Sequence, residues 1–227
     1  MITEPHIASA FDRDLEAIQA LVMRMGGLVE QATLDTARAL ETRDEELART
    51  VQARDKAIDA LEAQVHDECA RVIATRQPTA TDLRTVLSVL KVASGLERMG
   101  DYAKNIAKRT SVLATFTPIE GTAGTVRRMS KQVEQMLKDA LDAYIRRDAA
   151  LAADVRARDQ EVDQIYNSLF RVLLTHMLED PRNITACMHL HFIAKNVERM
   201  GDHATGIAEQ VIYLVTGAMP EEPRPKD

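Results

Sequence analysis

Four pairs of carboxylate residues are the part of this sequence best suited to chemistry. The members of each pair are four residues apart: Asp55 and Asp59, Glu97 and Asp101, Asp159 and Asp163, and Glu198 and Asp202. On an α-helix this spacing places both carboxylates on one face, where their like charges repel each other. A hard or borderline metal cation removes that repulsion, because it takes carboxylate oxygens as ligands. The pairs therefore predict a metal site, and the alternative is a solvated acidic face balanced by nearby arginines.

The pairs recur because the chain contains the same unit twice. At an offset of 104 residues Asp55 falls on Asp159, and at an offset of 101 residues Glu97 falls on Glu198. The second match lies in an identical five-residue block, Glu-Arg-Met-Gly-Asp. An identity of this length, flanked by many other matches, indicates an internal duplication. The predicted division of the chain is a first repeat at residues 1–116, a second repeat at residues 117–217 and a flexible tail at residues 218–227.

Each repeat is predicted to form three helices. In the first repeat, apolar residues follow helical spacing over residues 8–39 and again over residues 45–75. Residues 42–45 and the Gln77–Pro78 pair interrupt the pattern, and we expect Thr81–Asp82 to cap the third helix. No segment shows the period-two alternation that is typical of a strand. The fold class is therefore all-α, with two tandem three-helix bundles related by pseudo-twofold symmetry.

The second and third helices of each repeat are antiparallel neighbours joined by a short link. Asp59 and Asp101 lie at similar distances from the turn at Pro78, so the two acidic pairs should face each other. Gly100 and Gly201 occupy the same position in the two repeats, directly before the second carboxylate of a pair. Because glycine is costly inside a helix, its presence twice at this place favours a close approach of the neighbouring helix.

Two histidines are candidate additional ligands. His66 lies seven residues after Asp59, and His191 lies seven residues before Glu198. Neither histidine is repeated in the other copy, and single histidines are more often structural or exposed than ligating. We therefore keep them as secondary candidates beside the eight carboxylates.

Charge and composition exclude several classes of protein. The formal net charge of −6 argues against nucleic-acid binding, which calls for clustered lysine and arginine. Cys69 and Cys187 are the only cysteines and form no paired motif, so a disulfide framework is not expected and a reducing cytoplasm is. No apolar stretch approaches the length of a membrane span. We expect a cytoplasmic protein without membrane insertion.

The repeated Glu-Arg-Met-Gly-Asp block and the Asp-x-x-x-Asp pairs resemble the PhoU family, as does the turn at residues 74–84. The resemblance covers residues 8–217. It implies metal on the eight carboxylates, as an iron cluster or as zinc, manganese or magnesium. It also implies a non-enzymatic negative regulator of phosphate uptake and of the phosphate-starvation response. The implied partners are the ATPase subunit of the phosphate ABC transporter, the phosphate sensor histidine kinase and a second copy of the chain. Binding to these partners would place the protein at the inner membrane.

Other functional classes make different demands on the sequence. A ferritin-like di-iron oxidase needs Glu-x-x-His motifs, and none occurs here. A phosphate-cradling glycine loop or a nucleophile elbow is not found either, so an enzyme is not expected. A scaffold whose acidic faces dock basic helices remains an alternative to the metal reading, as does an accessory to a different phosphate carrier. Direct phosphate binding stays open only through a bridging metal, because carboxylates repel phosphate.

Overall fold

Six long helices account for nearly all of the structure, a computed structural model that describes the backbone of residues 4–220 and the side chains of residues 10–220. The helices are α1 (Glu4–Thr42), α2 (Glu45–Arg76), α3 (Ala80–Leu113), α4 (Thr122–Arg146), α5 (Ala149–Glu179) and α6 (Ile184–Thr216), with a short 3-10 helix at Pro181–Asn183. Residues 4–220 contain no strand, so the all-α prediction is confirmed. Most of the tail predicted at residues 218–227 lies outside the described residues.

Aspartate caps begin the second helix of each repeat. The side chain of Asp44 accepts a hydrogen bond from the backbone N–H of Leu47. Asp148 does the same for the N–H groups of Ala150 and Leu151. These bonds satisfy donors that the first helical turn leaves without a partner. The predicted helix break at residues 42–45 is therefore confirmed, and Asp44 is the residue that caps α2.

The predicted cap of the third helix is wrong by two residues. Helix α3 begins at Ala80, and Thr79 occupies the cap position without a side-chain hydrogen bond. The backbone N–H of Asp82 donates to the carbonyl of Thr79, so the first turn has already closed before the polar pair predicted to cap it. The preceding helix ends as predicted, because Gln77 adopts a left-handed conformation just before Pro78.

The two repeats share one core. Helices α1 to α3 pack together, α4 to α6 pack together, and α3 lies antiparallel against α6 while α1 packs on α4. Tyr102 and His203 are equivalent residues of the two repeats, and their rings contact each other in a tilted arrangement with centroids 5.6 Å apart. The pseudo-twofold axis therefore passes close to this contact. The division predicted at residues 116 and 117 falls in the link between α3 and α4, and stays a prediction as a boundary between folding units.

Aliphatic side chains and methionine fill the core. The largest fully buried side chains come from both repeats: Ile18, Met25, Ile58, Leu96, Met99, Ile106, Met129, Met136, Leu137, Leu141, Leu173 and Ile193. They belong to a single cluster that runs through all six helices. No helix within the described part of the chain is long and apolar enough to cross a membrane.

The helix caps make a testable contribution to stability. We expect Asp148→Ala to lower the free energy of unfolding by about 1 kcal/mol, because two backbone donors lose their acceptor. Chemical denaturation followed by circular dichroism measures this. Glu120→Ala, a change of equal charge in the exposed link, is the matched control and should have little effect. Equal stability of the two variants would contradict a capping role for Asp148.

Candidate metal site

Helices α2 and α3 bring the four predicted carboxylates of the first repeat together. Burial raises the pKa of Asp59, and the neighbouring charges of Asp55 and Asp101 raise it further. Burial likewise raises the pKa of Glu97, with Asp101 adding to the effect. These shifts arise because carboxylates that share one region oppose each other's ionisation. Lys104 contacts both Asp55 of α2 and Asp101 of α3, so the predicted facing of the two acidic pairs is observed in the first repeat.

Glycine makes the close approach of the helices possible at both clusters. A Cβ atom added to Gly100 would lie 2.9 Å from Cδ1 of Ile58 and 3.6 Å from Oδ1 of Asp55. A Cβ atom added to Gly201 would lie 3.3 Å from Oδ1 of Asp159. Gly100 thus faces Asp55 and Gly201 faces Asp159. At either position a larger side chain would press against the neighbouring helix. The repeated glycine serves the packing of α2 on α3 and of α5 on α6.

Lys104 supplies an internal cation to the first cluster. Asp55 is only 3% exposed, and its Oδ2 accepts a hydrogen bond from Nζ of Lys104. The same ammonium lies 3.7 Å from Oδ1 of Asp101. The hydrogen bond from Lys104 to Asp55 raises the pKa of the lysine, so it stays charged at neutral pH. Oδ1 of Asp55 is buried without a hydrogen-bond partner and leaves one oxygen of the cluster unsatisfied.

Glu62 is a member of the first cluster that the sequence reasoning missed. Its charge contributes to the raised pKa of Glu97 on the facing helix. His66, a secondary candidate, lies 3.7 Å from Glu62 and is half exposed, at the edge of the cluster. The position equivalent to Glu62 in the second repeat is Tyr166, so Glu62 does not belong to a repeated carboxylate pair. Its spacing of three residues from Asp59 was the available signal.

The second cluster, between α5 and α6, follows the same plan with different neighbours. Burial raises the pKa of Glu198, Lys195 lowers it, and the charges of Asp202 and Asp163 raise it. Nζ of Lys195 donates to Oε1 of Glu198 at 2.7 Å, while Oε2 is buried without a hydrogen-bond partner. Asp159 is 5% exposed, close to the value for Asp55. The predicted carboxylates therefore come together in the second repeat as well.

His191 lies in an aromatic pocket beside the second cluster. Its ring centroid is 5.9 Å from that of Tyr166 and 5.1 Å from that of Phe170. Burial lowers the pKa of His191, and the charge of Lys195 lowers it further. Tyr166 also lies under the ammonium of Lys195, at 5.2 Å. Aromatic rings thus surround the histidine that was a candidate ligand.

The two clusters offer oxygen donors of the right chemistry without a finished coordination geometry. Within the described side chains, no three from the histidine, cysteine, aspartate and glutamate residues form a group that could hold a metal ion. The orphaned oxygens of Asp55 and Glu198 and the raised pKa of Asp59 indicate negative charge that a cation would stabilise. The ammonium groups of Lys104 and Lys195 bind the other oxygen of each carboxylate. The eight metal ligands remain a prediction.

The contact between Lys104 and Asp55 gives a testable prediction. We expect Lys104→Met to lower the free energy of unfolding by about 2 kcal/mol in metal-free buffer, because it leaves a buried carboxylate without its charged partner. Adding Asp55→Asn should recover most of the loss, which a double-mutant cycle in urea measures. Lys108→Met, an exposed lysine one turn further along α3, is the control. Additive effects of the two substitutions would contradict the pairing.

Comparison with known proteins identifies the family. The PhoU domain family model matches residues 22–110 and again residues 126–211. Two relatives named phosphate-specific transport system accessory protein PhoU homolog, from Rhizobium meliloti and Zymomonas mobilis, are 45% and 48% identical to this chain. The alignments cover 100% and 98% of this chain and 95% and 94% of those proteins.

Two solved structures share the fold. PhoU from Pseudomonas aeruginosa matches with a TM-score of 0.89 at 40% identity, over 92% of this chain and 100% of that one. The phosphate transport system regulatory protein PhoU from Streptococcus pneumoniae matches with a TM-score of 0.86 at 29% identity, over 93% and 100%. The two matches of the family model together cover most of the chain, and relatives above 40% identity cover nearly all of it. The chain belongs to the PhoU family.

Proposed function

We propose that this protein is a negative regulator of phosphate uptake and of the phosphate-starvation response. In this role it couples the phosphate ABC transporter, through its ATPase subunit, to the phosphate sensor histidine kinase. The observation that carries the proposal is the full-length match to proteins named as accessories of phosphate-specific transport. The PhoU domain model also matches both repeats of the chain, which supports the same role.

In this proposal the protein acts by binding its partners in the cytoplasm, beside the transporter. It catalyses no reaction of its own. The helical surfaces carry neither the Glu-x-x-His motifs of a di-iron oxidase nor a phosphate-cradling glycine loop. A homodimer is part of the proposal. Leu174 and Leu178 of α5 are 39% and 83% exposed, and apolar side chains of this kind favour contact with a second copy.

Metal binding at the two carboxylate clusters is the second part of the proposal. Asp55, Asp59, Glu97 and Asp101 would hold a cation between α2 and α3. Asp159, Asp163, Glu198 and Asp202 would hold one between α5 and α6. The bound cation would be iron, zinc, manganese or magnesium, and it would neutralise the carboxylates and tie the two helices together. In each cluster the chain buries one aspartate side chain, and a glycine on the facing helix leaves room for it.

Metal content is the direct test of these clusters. Protein purified without a histidine tag or chelator should carry at least one ion per repeat by elemental analysis. Replacing Glu97 and Asp101 by alanine should remove metal from the first repeat only, and lower affinity there by roughly 100-fold, because half of the ligands are lost. Replacing Asp67 and Glu120, two exposed acids outside the clusters, is the charge-matched control. Loss from both repeats, or from neither, would contradict two independent sites.

Acidification provides an independent check on the same ligands. The pKa values of Asp59, Glu97 and Glu198 are raised by burial and by the neighbouring carboxylates. Protons compete with metal for these oxygens, so affinity should fall on acidification at a higher pH than for exposed carboxylates. Affinity that stays constant until the ordinary carboxylate range would mean that other groups hold the metal.

The regulatory role is tested in the source organism. Deleting the gene should leave the phosphate-starvation response switched on in phosphate-rich medium, measured with a reporter under a starvation promoter. The wild-type gene should restore repression, and a kinase deletion in the same strain should abolish the signal. A deletion strain that represses the reporter normally in phosphate-rich medium would refute negative regulation.

A further inference from the structure

A row of basic side chains follows the seam between α3 and α6 on this acidic protein. Its members are Arg84, Lys91, Arg98 and Arg109 of α3 and Arg199 of α6; we call this row the α3–α6 basic face. From Arg84 to Arg109 the helix advances by about 38 Å, at 1.5 Å per residue. The net charge of −6 makes such a row unexpected.

The basic side chains turn towards the seam. The guanidinium of Arg109 lies 4.4 Å from the ring centroid of Phe192, and that of Arg84 lies 5.6 Å from the ring of Tyr213, both on α6. In the opposite direction, the guanidinium of Arg199 on α6 lies 5.9 Å from the ring of Tyr102 on α3. These contacts hold the cations over the junction of the two helices.

The acidic side chains of the same helices turn away from the seam. Glu97 interacts with Glu62 on α2, and Glu198 interacts with Asp163 on α5. Glu209 pairs with Arg156 of α5 at 3.2 Å. Carboxylates thus occupy the outer edges of α3 and α6, and the seam is left basic.

Most of the basic face is not neutralised within the molecule. Arg98 lies 3.7 Å from Glu97 and 4.0 Å from Asp101, and its side chain is 60% exposed. Among the described side chains, none of the other four basic residues has a carboxylate ion-pair partner. Exposed ion pairs as long as those of Arg98 contribute little. The seam therefore presents several cations to an external partner.

The middle of the seam is a shallow, open groove. Lys91, Arg98 and His203 border a cavity of about 350 Å³. Gly95 and Gly206 lie along the same groove, and a Cβ atom added to Gly95 would already lie 3.3 Å from Ile207. The glycine on α3 lets the two helices approach closely here, so the basic side chains of both helices lie on one surface.

We propose that the α3–α6 basic face docks an acidic helical segment of a protein partner. The inference rests on the proposed function, which supplies the partner: the ATPase subunit of the phosphate transporter. Charge complementarity is the reason for an acidic occupant, since an isologous contact with a second copy would set this basic face against itself. The basic row, flanked on both sides by the carboxylate clusters, also suits one narrow helix better than the broad anionic surface of a bilayer.

Binding of the purified ATPase subunit tests the surface. The triple substitution Lys91→Gln, Arg98→Gln and Arg199→Gln should weaken binding about tenfold, because three exposed charge contacts are lost. The control carries Arg49→Gln and Arg146→Gln on α2 and α4, together with Lys56→Gln, and should bind as the wild type does. Affinity of the wild type should fall with added salt, while affinity of the triple variant should respond less. Circular dichroism and metal content should be the same in all three proteins.

Each other outcome has a definite meaning. If the wild type fails to bind the subunit, the coupling in the proposed function is wrong and this inference falls with it. If the triple variant binds as tightly as the wild type, the surface is wrong while the proposed function stands. A photo-crosslinker at Ser94 in the groove should attach to an acidic helix of the subunit, and attachment to a neutral or basic segment overturns the proposal. Binding to anionic phospholipid vesicles that only the triple variant loses, with subunit binding intact, would assign the face to lipid and also overturn it.

Discussion

The close approach of α2 to α3, and of α5 to α6, is the constraint on which the rest of the structure depends. Gly100 and Gly201 allow it, and each faces an aspartate that is nearly excluded from water. Burial of those aspartates, together with the crowding of the neighbouring carboxylates, creates charge that must be compensated. Lysine provides part of that compensation, and the proposed cation would provide the rest. The contact between glycine and aspartate on each pair of helices therefore determines both the helix packing and the charge of the candidate site.

Duplication has preserved the backbone of the two clusters but not their surroundings. Lys104 follows its motif by three residues, whereas Lys195 precedes its motif by three residues, so the internal cations approach from opposite ends. The first cluster gains Glu62, and the second has the ring of Tyr166 at the equivalent position. A common metal would thus meet a more acidic site in the first repeat and a more aromatic one in the second. Equal sequences at the ligands do not make equal sites.

Much of the fold and of the candidate site was predictable from sequence, because both depend on repeated local signals. Helical spacing, the break at residues 42–45 and the proline after Gln77 define most element ends, and the repeated pairs identify the eight carboxylates. Glu62 and Lys104 were missed because they occur in one copy only, so repetition gave no indication of them. The α3–α6 basic face was missed for another reason. Its basic residues are widely spaced on two helices that are far apart in the sequence. Only the packing of α3 on α6 brings them to one seam.

The contact between the rings of Tyr102 and His203 has a consequence for the history of the chain. They occupy equivalent positions on the pseudo-twofold axis. In a single-repeat ancestor that paired with itself, this position would have faced its own copy, and any substitution would have changed both sides at once. Joining the two units in one chain frees each side to vary alone. Fusion of the two units thus made it possible for two different residues, a tyrosine and a histidine, to meet at equivalent positions.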